Sequence, residues 1–176
     1  MLLYAATSNP GKLGEFSSSA NSAGIEVLAL PGLSSMPEPV EDAPTFMGNA
    51  EKKAIAYSLL APGLLVFADD SGLEAEALGG QPGVRSARFV CALALARDGK
   101  VLLRAEEDVT GLLLSAPRGT DGFGYDPLFL LPALGLTMAE ISREQKWELG
   151  HRGKAFRILL TKLHDASLPP IAQNAR

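Results

Sequence analysis

The reading of LLVFADDSGLEAEALGGQPG, residues 64–83, decides the fold. It opens on Leu64-Leu65-Val66-Phe67-Ala68, a continuous apolar run of the length and type of a strand buried on both faces. The run then meets two adjacent carboxylates, Asp69 and Asp70, followed by Ser71-Gly72. A strand alternates its side chains, so the two aspartates start out on opposite faces. Two charges at the end of a buried strand are costly unless a metal, a base or solvent compensates them. Open α/β sheets often carry their sites at strand C-termini, which makes the pair a candidate site. The plainer alternative is that one aspartate caps the following turn and the other faces water.

Upstream, residues 1–6 read as a first strand, Thr7-Ser8-Asn9-Pro10-Gly11-Lys12 as a junction, and the residues to about 23 as a helix. Ser8 or Asn9 can cap that helix, and Pro10 suits its first turn. Lys12 opposes the helix dipole there. That makes sense if an anion binds at the junction; otherwise the lysine is simply solvated. The spacing is too short for a Walker A loop. Residues 25–30 read as a second strand and 31–44 as a proline-rich loop holding Glu41 and Asp42. Thr45 reads as the N-cap of a helix to about residue 60. Asn49 and Lys53 lie four apart on one face of it, while Phe46, Ala50, Ala54 and Tyr57 supply its packed stripe.

Downstream, residues 87–97 read as a strand, Asp98-Gly99 as a turn and 100–104 as a hairpin partner, with 109–114 continuing the sheet. PRGTDGFGYDP, residues 117–127, is either a tight surface turn or a loop whose aromatics stack on a planar ligand. Residues 139–147, with Lys146, read as a helical turn or two, and Gly150-His151-Arg152-Gly153-Lys154 opens a final helix over 155–164. Cations again crowd a helix start, and two such cases in a small acidic protein suggest a polyanionic ligand. Carboxylates for a hard cation, lysines for phosphates and aromatics for a ring together point to a nucleotide. Residues 173–176 read as a frayed tail.

The totals bound this reading. A length of 176 residues favours one domain spanning 1–176, with room for a sizeable core. The net charge of −4 argues against a nucleic-acid binder, whose surface is usually basic. Membrane association is not expected either: no apolar run reaches the length of a span, and the first residues lack the basic region of a secretory signal. The single cysteine, Cys91, lies in an apolar run where it packs as a small hydrophobe. The expectation is a cytoplasmic protein.

Read together, these residues resemble the inosine triphosphate pyrophosphatases. The matching pieces are Thr7 to Lys12, Thr45-Phe46 with Asn49-Ala50, Ala68-Asp69-Asp70-Ser71-Gly72-Leu73, Gly79-Gly80-Gln81-Pro82-Gly83-Val84, Asp121-Gly122-Phe123-Gly124-Tyr125-Asp126-Pro127 and His151-Arg152-Gly153. Each is weak alone; six in order are specific. The resemblance implies an α/β fold with an elongated mixed central sheet, flanking helices and two lobes around a nucleotide cleft, assembled as a homodimer. It implies Mg²⁺-dependent hydrolysis of ITP, dITP and XTP, non-standard purine nucleoside triphosphates, to the monophosphate and diphosphate. Carried over by position, Asp70 is the general base and a metal carboxylate, with Glu41 and Asp69 assisting the metal. Thr7, Ser8, Asn9, Pro10, Gly11, Lys12 and Lys53 hold the phosphates, and Ser71 touches substrate. Phe123, Gly124, Tyr125, Asp126, Lys146, His151 and Arg152 form the base-recognition side.

Two departures stand out. The family commonly has serine where this chain has Gly150. Members also usually carry a helix and its loops between the Ser-Ala-Arg after the Gly-Gly turn and the next Ala-Arg-Phe, whereas Gly83-Val84-Arg85-Ser86-Ala87-Arg88-Phe89 fuses those ends. Intact motifs on both flanks favour a dropped segment, visible as a break between residues 84 and 89, over a true deletion. A true deletion favours the alternative of a non-catalytic nucleotide-binding homologue. A scaffold that keeps only the fold has no need of Lys12, Lys53, Asp70 and Arg152 together, and a general phosphatase would release phosphate instead of diphosphate.

Overall fold

The computed structural model describes residues 1–20, 24–75 and 85–166. Its strands are β1 (Leu2–Ala5), β2 (Glu26–Ala29), β3 (Val66–Ala75), β4 (Arg85–Arg97), β5 (Lys100–Leu113), β6 (Phe129–Leu131) and β7 (Leu136–Thr137). They form one mixed sheet in the order β2-β1-β3-β4-β5-β6-β7. β1 runs parallel to β2 and β3, and the remaining pairs are antiparallel. The helices are α1 (Pro10–Ala20), α2 (Phe46–Leu60), α3 (Arg143–Leu149) and α4 (His151–Asp165). Among the described residues no helix is long and apolar enough to cross a membrane.

Strand alternation sorts the side chains onto two faces with different packing. On one face, Phe67 of β3 and Cys91, Leu93 and Leu95 of β4 lie under α1 and α4. There the rings of Phe16, Phe67 and Phe156 meet at centroid distances of 4.9 to 5.4 Å. Each such buried ring contributes roughly 1.5–3 kcal/mol, so this cluster anchors the fold. Burial also pushes the Cys91 thiol up, keeping it the unreactive hydrophobe that its apolar run suggests. On the other face, Ala68, Ala92, Ala94 and Ala96 meet Ala50 and Ala54 of α2, small residues on both sides that let helix and sheet approach closely. Thr45 caps α2 by accepting from the Gly48 amide at 3.1 Å.

Beyond the helices the two faces diverge again. Ala87, Phe89, Val109, Phe129, Leu131, Met138 and Ile141 form a second cluster on the α4 side. The opposite side, past the start of α2, carries a charged ladder: Arg88 bonds Glu74 at 2.7 Å and Asp108 at 3.2 Å across three strands. The hairpin between β4 and β5 turns at Asp98 and Gly99, whose φ of 51° and 75° give the mirror-image turn that matches strand twist.

Three expectations need correction. β3 does not stop at the aspartates but continues through Ser71 and Gly72 to Ala75, because Gly72 makes room for the Phe46 ring and does not turn the chain. β5 is one strand of 14 residues, since Glu106 and Asp108 of its charged middle face the side that no described helix covers and Glu107 alternates to the other, so no pairing is broken. The residues after 84 show no break: Arg85 to Phe89 pair in register with Leu113 to Val109. β3 and β4 are antiparallel neighbours with Ala75 opposite Ala87. The motif at residues 79–84 and the tail at 173–176 lie outside the described residues. Smaller differences are that α3 starts at Arg143 and α4 already at His151, and that β6 and β7 are too short to show in the sequence pattern.

Candidate active site

β1 ends at Ala5 and pairs with β3 only as far as Phe67. Among the described residues the β3 edge beyond Ala68 therefore has no strand beside it on that flank, and the Thr7 to Lys12 junction turns away there into α1. Asn9 builds that junction: its Oδ1 accepts from the amides of Gly11 at 2.9 Å and Lys12 at 3.2 Å, capping the helix. Thr7 Oγ1 accepts from the Asn9 amide, while Ser8 and Pro10 are exposed. Asp69, Asp70 and Ser71 stand at this open edge.

On the α4 face, the buried Asp69 carboxylate accepts from Lys12 Nζ at 2.7 Å and from Ser71 Oγ at 3.2 Å. Arg152, also buried, donates through Nη2 to Ser71 Oγ at 3.3 Å and through Nη1 to Glu15 at 2.6 Å. Burial would lower the Arg152 pKa, but the charges of Glu15 and Asp69 outweigh it and raise it above the ordinary value. Lys146 lies 2.9 Å from Glu15 and 2.8 Å from Asp126. The same Asp126 oxygen accepts from the Phe123 amide, which ties the glycine-rich loop to this network. Phe123 sits against Gly11, with the Lys146 ammonium 4.7 Å and the Arg152 guanidinium 5.4 Å from its ring centre. Beside it opens a cavity of about 460 Å³ bounded by Gly14, Glu15, Phe123, Met138, Lys146 and Trp147. Gly124 and Tyr125 are exposed at the loop tip.

His151 completes this side. It is buried, and burial together with the charges of Arg152, Lys146, Lys12 and Lys154 pushes its imidazole down to about 2, so it is neutral at physiological pH. Its Nδ1 and the Arg152 Nε are buried without a hydrogen-bond partner among the described residues.

On the α2 face the set is smaller and wetter. Asp70 Oδ2 accepts from Asn49 Nδ2 at 3.1 Å, and its Oδ1 lies 3.4 Å from Lys53 Nζ. Lys53 also donates to Glu41 at 2.8 Å. Burial would lower the Lys53 pKa, yet the Glu41 hydrogen bond and the charges of Asp70, Glu41 and Asp69 raise it. Asn49 Oδ1 accepts from the Ala43 amide, so one side chain holds both the acidic loop and the Asp70 carboxylate. Glu41 and Asp70 thus converge, although 29 residues apart in number, while Asp69 turns to Lys12 on the other face. Among the described residues no group of three or more His, Cys, Asp or Glu side chains is assembled for a metal.

Sequence reasoning missed two residues here. Glu15 bonds both Lys146 and Arg152, but an acid on a short helix usually reads as solvated. Asn49 was placed on the Lys53 face, yet nothing in a single helix shows that its amide reaches a carboxylate on β3.

The sequence profile of the Ham1 family matches residues 3–89 and 84–162. A dITP/XTP pyrophosphatase from Acidobacterium capsulatum is 45% identical over 199 residues, covering 93% of this chain and 98% of the relative. A dITP/XTP pyrophosphatase from Thermus thermophilus is 40% identical over 198 residues, covering 96% and 95%. Among solved structures, a HAM1 protein from Coxiella burnetii superposes with a TM-score of 0.79 at 30% identity, covering 94% of this chain and 100% of that one. The Staphylococcus aureus Ham1 protein gives a TM-score of 0.75 at 29% identity, covering 94% and 99%. Of this chain's 176 residues, 93% is about 164, so about 35 of the 199 positions shared with the Acidobacterium protein fall opposite gaps here. The two profile matches overlap at residues 84–89, which puts the shortening in the β3–β4 connection.

Proposed function

We propose that this chain, which belongs to the Ham1 family, hydrolyses non-standard purine nucleoside triphosphates (ITP, dITP and XTP) to the monophosphate and diphosphate. The observation that carries the reading is the pair of networks on either side of the open β3 edge. One offers cations, a neutral imidazole and an aromatic ring; the other offers a fixed carboxylate beside a lysine. The names of the relatives point to two of these substrates, dITP and XTP.

In this reading Lys12 and Lys53 hold the triphosphate, with Thr7 to Gly11 shaping the junction. Asp70 takes the proton of a water that adds to phosphorus at the α–β anhydride, and that anhydride bond breaks to release diphosphate. Asn49 fixes the Asp70 carboxylate, and Lys53 offsets charge that grows on the phosphate oxygens. Asp69 orients Lys12 and Ser71. Phe123, Lys146, His151 and Arg152 receive the purine, with Asp126 ordering the loop and Gly124 and Tyr125 at its rim.

Glu41 and Asp70 fit a Mg²⁺ ion. They are hard oxygen donors that already share a cation, Lys53, and Mg²⁺ takes one or two carboxylates together with phosphate oxygens. When bound it would neutralise phosphate charge. A homodimer in the cytoplasm, acting on free nucleotides and not on nucleic acid or a membrane, completes the proposal.

The shortened β3–β4 connection favours a second reading, a homologue that binds nucleotide without turning it over. Incubation with ITP and Mg²⁺, with diphosphate and phosphate measured separately and ITP binding followed in parallel, separates them. The proposal expects diphosphate and IMP. Binding without products establishes the second reading, and phosphate in place of diphosphate points to a general phosphatase.

A further inference from the structure

Phe89 is the residue at which the shortened connection re-enters the sheet. It lies on the α4 face of β4, 8% exposed, where its ring stacks on the His151 imidazole with centroids 4.9 Å apart and planes 16° apart. Behind it the fully buried Phe129 ring packs at 4.3 Å. Phe129 in turn fills the space that Gly111 leaves open on β5, since any side chain there would collide with it. The result is a stack of three rings from β6, β4 and α4. An imidazole has a free torsion about its ring bond, and hydrogen bonds normally fix it. Here Nδ1 makes none, so stacking sets the ring plane.

We propose that Phe89 is a positioning residue for base recognition: backed by Phe129, it holds the His151 ring in one fixed plane on the purine side of the site. This rests on the pyrophosphatase reading, in which His151 faces the base. A ring already held in one plane has no further freedom to lose when substrate arrives, so a loose ring would bind more weakly. Neutrality suits the role, because a neutral imidazole offers one donor and one acceptor and can discriminate between base edges.

Phe89→Leu keeps apolar bulk and removes the ring, Phe89→Tyr keeps the ring, and Leu131→Ala damages the same cluster while leaving all three rings in the chain. Steady-state kinetics with ITP and ATP are expected to show KM for ITP rising roughly three- to tenfold in Phe89→Leu, with kcat changed less and the ITP preference falling alongside. Phe89→Tyr should restore the preference. The chain has two histidines, and His164 is exposed, so the His151 imidazole signals can be assigned by NMR without any activity. Loss of the ring-current shift of His151 in Phe89→Leu but not in Leu131→Ala is expected. An active wild type whose Phe89→Leu variant keeps its ITP preference, or a Leu131→Ala variant that loses as much of it, overturns the role of Phe89. An inactive wild type overturns the pyrophosphatase reading itself, whatever the imidazole signals show.

Discussion

Asp69 and Asp70 are neighbours in sequence, and the pleat sends them into two different environments. Asp69 is buried in a chain of contacts that runs from Lys12 through Ser71, Arg152 and Glu15 to Lys146 and Asp126. Asp70 is half-buried, with Asn49 and Lys53 as its partners. The first network is multiply bonded and mostly buried, and therefore stiff; the second is sparse and open toward Glu41. A buried network that positions a ligand must be complete, because each missing partner strands a charge. A reacting carboxylate needs the opposite, room for water and substrate with only its orientation fixed. The difference teaches that order on one face lets the other stay exposed.

The largest test of that contrast is stability. Glu15→Ala removes the carboxylate that holds Arg152 in the interior, and should cost about 3 kcal/mol, the low end for a broken buried pair because Glu15 is partly exposed. Glu41→Gln, on the open face, should change stability by less than about 0.5 kcal/mol, since its pair with Lys53 is nearly half exposed on the carboxylate side. Urea unfolding of both variants reads this directly, and equal losses would erase the distinction.

Selectivity comes next. Arg152→Ala should lower kcat/KM for ITP on the order of tens of times more than for ATP, because a site built around a required donor discriminates strongly. The 6-oxo group accepts where the adenine amino group donates. Equal losses on both nucleotides would move Arg152 to the phosphate side.

The smallest effect is on pH dependence. His151 is held far below its unfolded value of 6.5, so the unfolded chain binds a proton that the folded one refuses. Its contribution to stability is complete above pH 6.5 and declines as pH falls through that value toward about 2. Between pH 7 and 5.5 the loss should be about 1 kcal/mol. Thermal melts of His151→Gln should show a shallower decline than the wild type over that range; parallel slopes would mean that the folded chain takes up the His151 proton as readily as the unfolded one.

Much of this was legible in the chain. The strand expected from the apolar run at 64–68, which starts two residues late at Val66, the Thr45 cap and the Asp98-Gly99 turn each carry a local cause. The continuation of β3 was not legible, because Gly72 reads as a breaker until the Phe46 ring that covers it is known. Nor was the unity of β5, whose run Glu106-Glu107-Asp108 looks like a loop until its pairing with Ala92, Cys91 and Val90 of β4 is known. In the site, alternation alone put Asp69 and Asp70 on opposite faces, while resemblance grouped both with the metal. The structure draws Asp69 to Lys12. Gly150 has a physical reason of its own: a side chain there would run into the Lys146 carbonyl at the α3–α4 junction, so the family's serine does not fit this backbone.

The central claim is that Asp70 reacts while the opposite face recognises. Calorimetric binding of ITP to Asp70→Asn, with its turnover measured on the same sample, tests this most directly. The account predicts a Kd within about threefold of wild type and a turnover reduced roughly 10²–10⁴-fold, the range expected for loss of a general base. Binding and turnover that fall together by the same factor would contradict it and make Asp70 a residue that holds substrate.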